Sequence, residues 1–156
     1  MPAYAIVRIK GTRRIAIMVK DTLQSLRLTR ANHCVVLPQT PEVMGQIQHV
    51  KDYVTYGTVG AKEVAQLIRT RGRLEGDAPV TDAAVAAGSP FKTIDEFAAA
   101  IADGKVRYGS LKGVTPIFRL APPRHGFKGG IKRSVQAHGN LGNRGAAMNK
   151  LLERMV

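Results

Sequence analysis

Three observations in the sequence predict an α+β fold, a small sheet with two helices on one of its faces. Residues 4 to 10 alternate in character, a Thr-Pro-Glu triplet opens an apolar face of helical spacing, and short β-branched runs lie on both sides of that helix. The order strand, helix, strand, helix, strand is complete within residues 1–57, which read as a β-α-β-α-β core domain. Residues 58–156 read as a helical extension with a basic Gly/Pro-rich arm and a terminal helix.

The first strand, YAIVRIK, sets Ala5, Val7 and Ile9 on a buried side and turns Arg8 and Lys10 to solvent. After Gly11 and the pair Arg13 and Arg14, the apolar run from Ile15 to Val19 leads to Asp21. That residue reads as the N-cap of a helix over 21–28, with Gln24 three positions on and Leu23 and Leu26 facing inward. His33 to Leu37 is short, apolar and β-branched, and Pro38 bounds it, so a second, buried strand is predicted. Thr40 caps the second helix. Pro41 occupies its first position, Glu42 sits favourably against the helix dipole, and Val43, Met44, Ile47 and Val50 share one face. Tyr53 to Tyr56, closed by Gly57, is the third strand.

In the extension, Val64, Leu67 and Ile68 mark a short helix, Val80 to Ala87 a second, and Thr93 with Glu96 forms a capping box ahead of Ile94, Phe97, Ala98 and Ile101. These helices read as a cap on the body, not as a lid over a catalytic site. Thr115 to Leu120 has the character of another strand, and Met148, Leu151, Leu152 and Met155 define a last amphipathic helix. Between them, Ala121 to Arg144 carries Pro122, Pro123 and recurrent glycines. It is too long for an ordinary connection, which points to function.

Charge says what kind of function. The 156 residues carry a formal net charge of +13 with 44% hydrophobic content, enough to bury a core and far more basic than solubility requires. Residues 1–40 contribute +6, residues 41–110 contribute −1 and residues 111–156 contribute +8, so two basic ends flank a neutral middle. From Gly104 to Leu152 there is no Asp or Glu at all, while Lys105, Arg107, Lys112, Arg119, Arg124, Lys128, Lys132, Arg133, Arg144 and Lys150 fall inside that stretch. Cations so crowded repel one another. A phosphate backbone removes the repulsion and releases its own condensed counterions. A membrane is not the expected partner: no apolar run approaches a spanning length, and no basic helix carries a bulky aromatic face. The alternating, charged segment from Met1 to Lys10 does not read as a secretory signal, and a single cysteine, Cys34, fits a reducing compartment, so a cytoplasmic location is expected.

Catalytic constellations fail on spacing. Gly57 and Gly60 follow a strand and precede a helix, but the lysine is Lys62 and no Ser or Thr follows it, so neither a P-loop nor a dinucleotide fingerprint is formed. His33, His49, His125 and His138 lack metal-ligand spacing, and Cys34, adjacent to His33 on a strand, points to the opposite face. Glu63, Glu75, Asp77, Asp82, Asp95 and Asp103 read as solvated faces and caps. No enzyme activity, cofactor, metal or small-molecule substrate is expected. The arm, by contrast, mixes its charges with Ile117, Phe118, Leu120, Phe127, Ile131, Val135 and Leu141, which suggests docking, and with Gly126, Gly129, Gly130, Gly139, Gly142 and Gly145, which let backbone approach phosphates. Contacts of this kind fix a protein on RNA shape without reading bases. Candidate RNA contacts are Arg8, Lys10, Arg13 and Arg14 at one end and His125 and Arg144 at the other. A nucleoid-type DNA-binding protein is the alternative, and a small enzyme acting on an anionic substrate a more distant one.

Three segments carry a resemblance: LRLTRANHCVVL (26–37), TPEVMGQIQHVKDYVTYG (40–57) and FRLAPPRHGFKGGIKRSVQAHGNLG (118–142). Together they resemble the archaeal branch of large-subunit ribosomal protein thirty. The resemblance implies a three-stranded antiparallel sheet with two helices, a trimmed ferredoxin-like fold, followed by a helical extension. It also implies a structural, non-catalytic, ribosome-associated role on large-subunit rRNA, close to the 5S rRNA and to neighbouring ribosomal proteins. The RNA contacts it implies are Arg27, Arg30 and His33 at the helix-to-strand junction and Arg119, Arg124, Lys128, Lys132 and Arg133 in the arm.

Overall fold

The computed structural model describes residues 2–11 and 13–156. Its sheet has five strands in the order β4-β2-β1-β3-β5, with β1 (Ala3–Arg8), β2 (His33–Pro38) and β3 (Val54–Thr58) as the long central members. These three pair antiparallel, as expected, with Ile6 opposite Val35 on one side and Tyr56 on the other. The three-stranded expectation falls short at both edges. Two-residue strands, β4 (Phe118–Arg119) and β5 (Gly142–Asn143), extend the sheet, the first antiparallel to β2 and the second parallel to β3. The strand expected over Thr115 to Leu120 shrinks to Phe118 and Arg119, which pair with Cys34 and His33 of β2.

Helices α1 (Ile17–Ser25) and α2 (Pro41–Val50) lie on one face, where Leu23, Leu26, Leu28, Val43, Ile47 and Val50 enclose Ile6, Val35, Val54 and Tyr56. Thr40 caps α2 as its sequence predicts, its Oγ1 accepting from Val43 N at 3.3 Å. Asp21 does not cap α1. The helix begins four residues earlier, after Ala16, and Asp21 lies exposed inside it.

The opposite face is also covered. Ala3, Ala5, Val7, Cys34 and Val36 pack beneath α3 (Ala61–Arg71), α4 (Asp82–Gly88), α5 (Ile94–Ala102) and α6 (Met148–Met155), with Phe97, Phe118, Leu67 and Met148 at the centre. Burial lifts the Cys34 thiol pKa to about 12, which keeps it protonated and inert. Thr93 caps α5 as expected, its Oγ1 accepting from Glu96 N at 3.3 Å, while the Glu96 carboxylate accepts from Lys92 N at 3.1 Å, one residue ahead of the cap that the expected box would use. The close fit of α6 explains Gly57. A Cβ there would strike the Gly145 carbonyl and lie 2.8 Å from Met148 Cβ.

Because both faces are covered, β1 has no solvent side. Arg8, expected to point outward, is 2% exposed. Its Nη1 donates to Leu28 O at 2.8 Å and its Nε to Lys10 O at 3.0 Å, so this guanidinium ties the end of β1 to the α1–β2 junction.

Candidate nucleic-acid interface

The junction between α1 and β2 is built by a Schellman turn. Leu28 N donates to Leu23 O at 2.8 Å and Arg27 N to Gln24 O at 2.9 Å, with Arg27 in the left-handed region at φ 62°. Leu23 and Leu28 share the same apolar cluster, the usual accompaniment of this turn. The consequence is directional: Leu28 goes in and Arg27 stays out. Asn32, left-handed at φ 65°, then turns the chain into β2, its N–H donating to Arg8 O at 2.7 Å and its carbonyl accepting from Leu120 N at 3.1 Å.

That last hydrogen bond brings the start of the arm to the junction. In the β2–β4 register Cys34 faces Phe118, both buried, and His33 faces Arg119, both on the other side of the sheet. Residues far apart in sequence thus form one cationic edge of Arg30, His33 and Arg119. The His33 imidazole is held below its ordinary pKa first by burial and then by the charges of Arg119, Arg30 and Arg8. Its Nδ1 is buried without a hydrogen-bond partner. One carboxylate stands near: Asp77 Oδ1 lies 3.9 Å from Arg119 Nη1 and equally far from Arg73 Nε. These exposed, long contacts hold Arg119 only weakly.

The arm is shaped by its own carbonyls. Buried Asn140 donates from Nδ2 to Lys128 O at 2.7 Å and Gly130 O at 2.6 Å, and Arg154 donates to Arg124 O at 2.7 Å and to Gly126 O. Arg144, expected among the RNA contacts, is turned inward: it donates to Asn140 Oδ1 at 2.7 Å and to Thr55 Oγ1 at 3.2 Å, locking β5 onto β3. Of the apolar residues expected to dock, Phe118, Leu120 and Leu141 are buried and Ile117 and Phe127 half-buried, whereas Ile131 is exposed. With carbonyls bonded inward, the side chains of Arg124, His125, Lys128, Lys132 and Arg133 are left exposed, as are Arg13, Arg14, Arg27, Arg30 and Arg119. Lys10 is half-exposed, its Nζ 5.5 Å from the centre of the Tyr53 ring.

The chain is similar to ribosomal proteins of known name. The family described as ribosomal protein L30p/L7e matches residues 4–54. Large ribosomal subunit protein uL30 of Methanocella arvoryzae is 47% identical over 152 residues, covering 97% of this chain and 99% of its own. The protein of the same name from Methanoculleus marisnigri is also 47% identical, with the same coverage, and that of Archaeoglobus fulgidus is 43% identical over 155 residues. The chain belongs to the uL30 family of large ribosomal subunit proteins. As a uL30 protein it has a structural, non-enzymatic role and is ribosome-associated in the cytoplasm.

Sequence reasoning passed over part of the uL30 surface. Arg107, assigned to the neutral middle, lines one cleft with Arg27, and Lys51 lines another with Lys10 and Lys132. The signal for the second is Lys51-Asp52-Tyr53, a basic residue two positions before an aromatic one at the start of the expected strand.

Proposed function

We propose that the edge formed by the α1–β2 junction and β4, continued by the arm, binds large-subunit rRNA through its phosphates, alongside the 5S rRNA and among neighbouring ribosomal proteins. The observation that carries this reading is the convergence of Arg30, His33 and Arg119 across the β2–β4 register, where burial first, and then the neighbouring guanidinium charges, hold the histidine below its ordinary pKa. Phosphate oxygens relieve the repulsion among those charges. Arginine supplies paired donors to them, and Arg27 adds a cation at the helix end. The arm extends the same electrostatic surface with Arg124, Lys128, Lys132 and Arg133, each exposed. Arg8 and Arg144 act inside the protein, holding the two binding segments against the sheet.

Titrating folded large-subunit rRNA with the full chain at several salt concentrations tests this. Neutralisation of about eight phosphates predicts a slope of log affinity against log salt near −7. A slope near −1 would reject an extended phosphate interface, as would preferential binding to duplex DNA at physiological salt.

A further inference from the structure

A cleft of about 720 Å³ opens where the arm meets the body, lined by Lys10, Lys51, Tyr53 and Tyr56 on one side and Lys132 and Gln136 on the other. Its volume falls within the roughly 300–1,000 Å³ typical of small-ligand sites. Asp52 is the carboxylate in its lining, against three lysines. One wall is fixed by β3 and the other by β5. Thr55 pairs with Gly142 and Tyr56 with Asn143, Arg144 N donates to Tyr56 O at 2.7 Å, and Thr55 Oγ1 donates to Gly142 O at 3.3 Å. The cleft is therefore built by hydrogen bonds, not left over between loose segments. Tyr56 is 5% exposed and braced edge-on by Tyr4 at 5.6 Å, forming a floor, while Tyr53 is half-exposed with Lys10 poised over its ring.

We infer that this cleft takes a single unpaired RNA nucleotide, its base displacing the Lys10 ammonium to lie on the Tyr53 ring and its flanking phosphates between Lys51 and Lys132. The chemistry is complementary on both counts. An aromatic face accepts any base by stacking, and lysines on opposite walls match a backbone entering and leaving. A site of this kind differs from the phosphate-only surface of the junction and the arm because it requires the strand to be splayed, and it rests on the rRNA-binding reading given above. It also gives the β3–β5 pairing a task, that of setting the distance between the lysines of the two walls.

The test is ultraviolet crosslinking of the full chain bound to folded large-subunit rRNA with 5S rRNA, followed by mass spectrometry of nucleotide-bearing peptides. A nucleotide adduct on the peptide containing Tyr53 is expected. Affinity for the same RNA should fall about fivefold or more in Tyr53→Leu and recover in Tyr53→Phe, which restores a ring. Lys51→Gln, at an exposed position outside the core, should weaken binding and reduce the salt slope by about one. Adducts confined to peptides from the junction and from residues 119–128, with Tyr53→Leu and Lys51→Gln both binding within twofold of the unaltered chain, would overturn the inference while leaving the phosphate interface standing. Failure of the unaltered chain to bind the RNA would remove both.

Discussion

The two basic ends of this protein differ in how they make cations available. At the junction the display is local: a Schellman turn orients Arg27, and the strand period sends His33 to the side away from Cys34. In the arm, a loop of low regularity is organised by donors that reach its carbonyls from Asn140 and Arg154. Each region also withdraws a guanidinium from the surface, Arg8 in the body and Arg144 in the arm, and each spends that group on carbonyl or side-chain oxygens of the protein. The lesson is that net charge overstates what an RNA can meet. A guanidinium carries five N–H donors, so it serves as well for tying loops to a sheet as for holding phosphate. The same residue type performs both tasks, and only burial separates them.

The comparison can be broken most sharply in the arm. Replacing Arg124, Lys128, Lys132 and Arg133 together by Gln should leave the fold intact, since all four side chains are exposed. Counterion release alone then predicts a loss of about three orders of magnitude in rRNA affinity at 0.15 M salt and a salt slope near −3.5. Filter binding across a salt series reads both. Arg8→Leu should do the reverse, destabilising the protein by about 2–3 kcal/mol in urea unfolding because Leu28 and Lys10 lose a charged donor, while the salt slope stays near −7. An Arg8→Leu protein of full stability would mean the inward guanidinium holds nothing.

Gly57→Ala probes where body and carboxyl-terminal helix touch. The added methyl group meets the Gly145 carbonyl and Met148, so a destabilisation of about 1–3 kcal/mol is expected from the same unfolding measurement. The smallest effect concerns His33. Its folded-state pKa lies below 6.5, so its neutral form contributes stability that is present above the unfolded pKa and lost as pH falls through the folded one. Bound phosphates should raise that pKa, so rRNA binding takes up a proton and strengthens as pH falls through the bound-state pKa towards the lower one of the free protein. NMR titration of the imidazole in free and bound protein measures the shift; a downward or absent shift would place His33 away from phosphate.

Much of the body was legible because its signals are local. Thr40, Pro41 and Glu42 specify the start of α2 within one turn, and Thr93 with Glu96 does the same for α5. What could not be read was set by partners distant in sequence. The strand β5 has no pattern of its own and pairs only through β3, and although a strand is expected over 115–120, its place as β4 on the edge of β2 has no local signal. Asp21 reads as a cap because an apolar run precedes it, yet Ile17 and Met18 of that run open the helix with their side chains exposed. Arg8 followed the rule that charge in an alternating strand faces water. That rule assumes one bare face, and Ile6 on the same side as Arg8 was the clue that both faces are filled. Among the candidate contacts, Arg8 in β1 and Arg144 just after β5 are turned inward, whereas Arg13, Arg14, Arg27, Arg30, Arg119 and the cations of the arm are exposed.

The parallel pairing of β5 with β3 bears on how the chain comes into being. Thr55 and Gly142 are 87 positions apart, and α6, which covers Ala5 and Gly57, is the last element of the described chain. During synthesis the three central strands and their first two helices can assemble early, since amino-terminal units form first. Their second face stays bare of α6 until residues 148–155 have been made. A nascent molecule therefore carries the cations of the α1–β2 junction while the wall bearing Lys132 is still being made, so the two halves of the proposed surface arise at different moments of the protein's own birth.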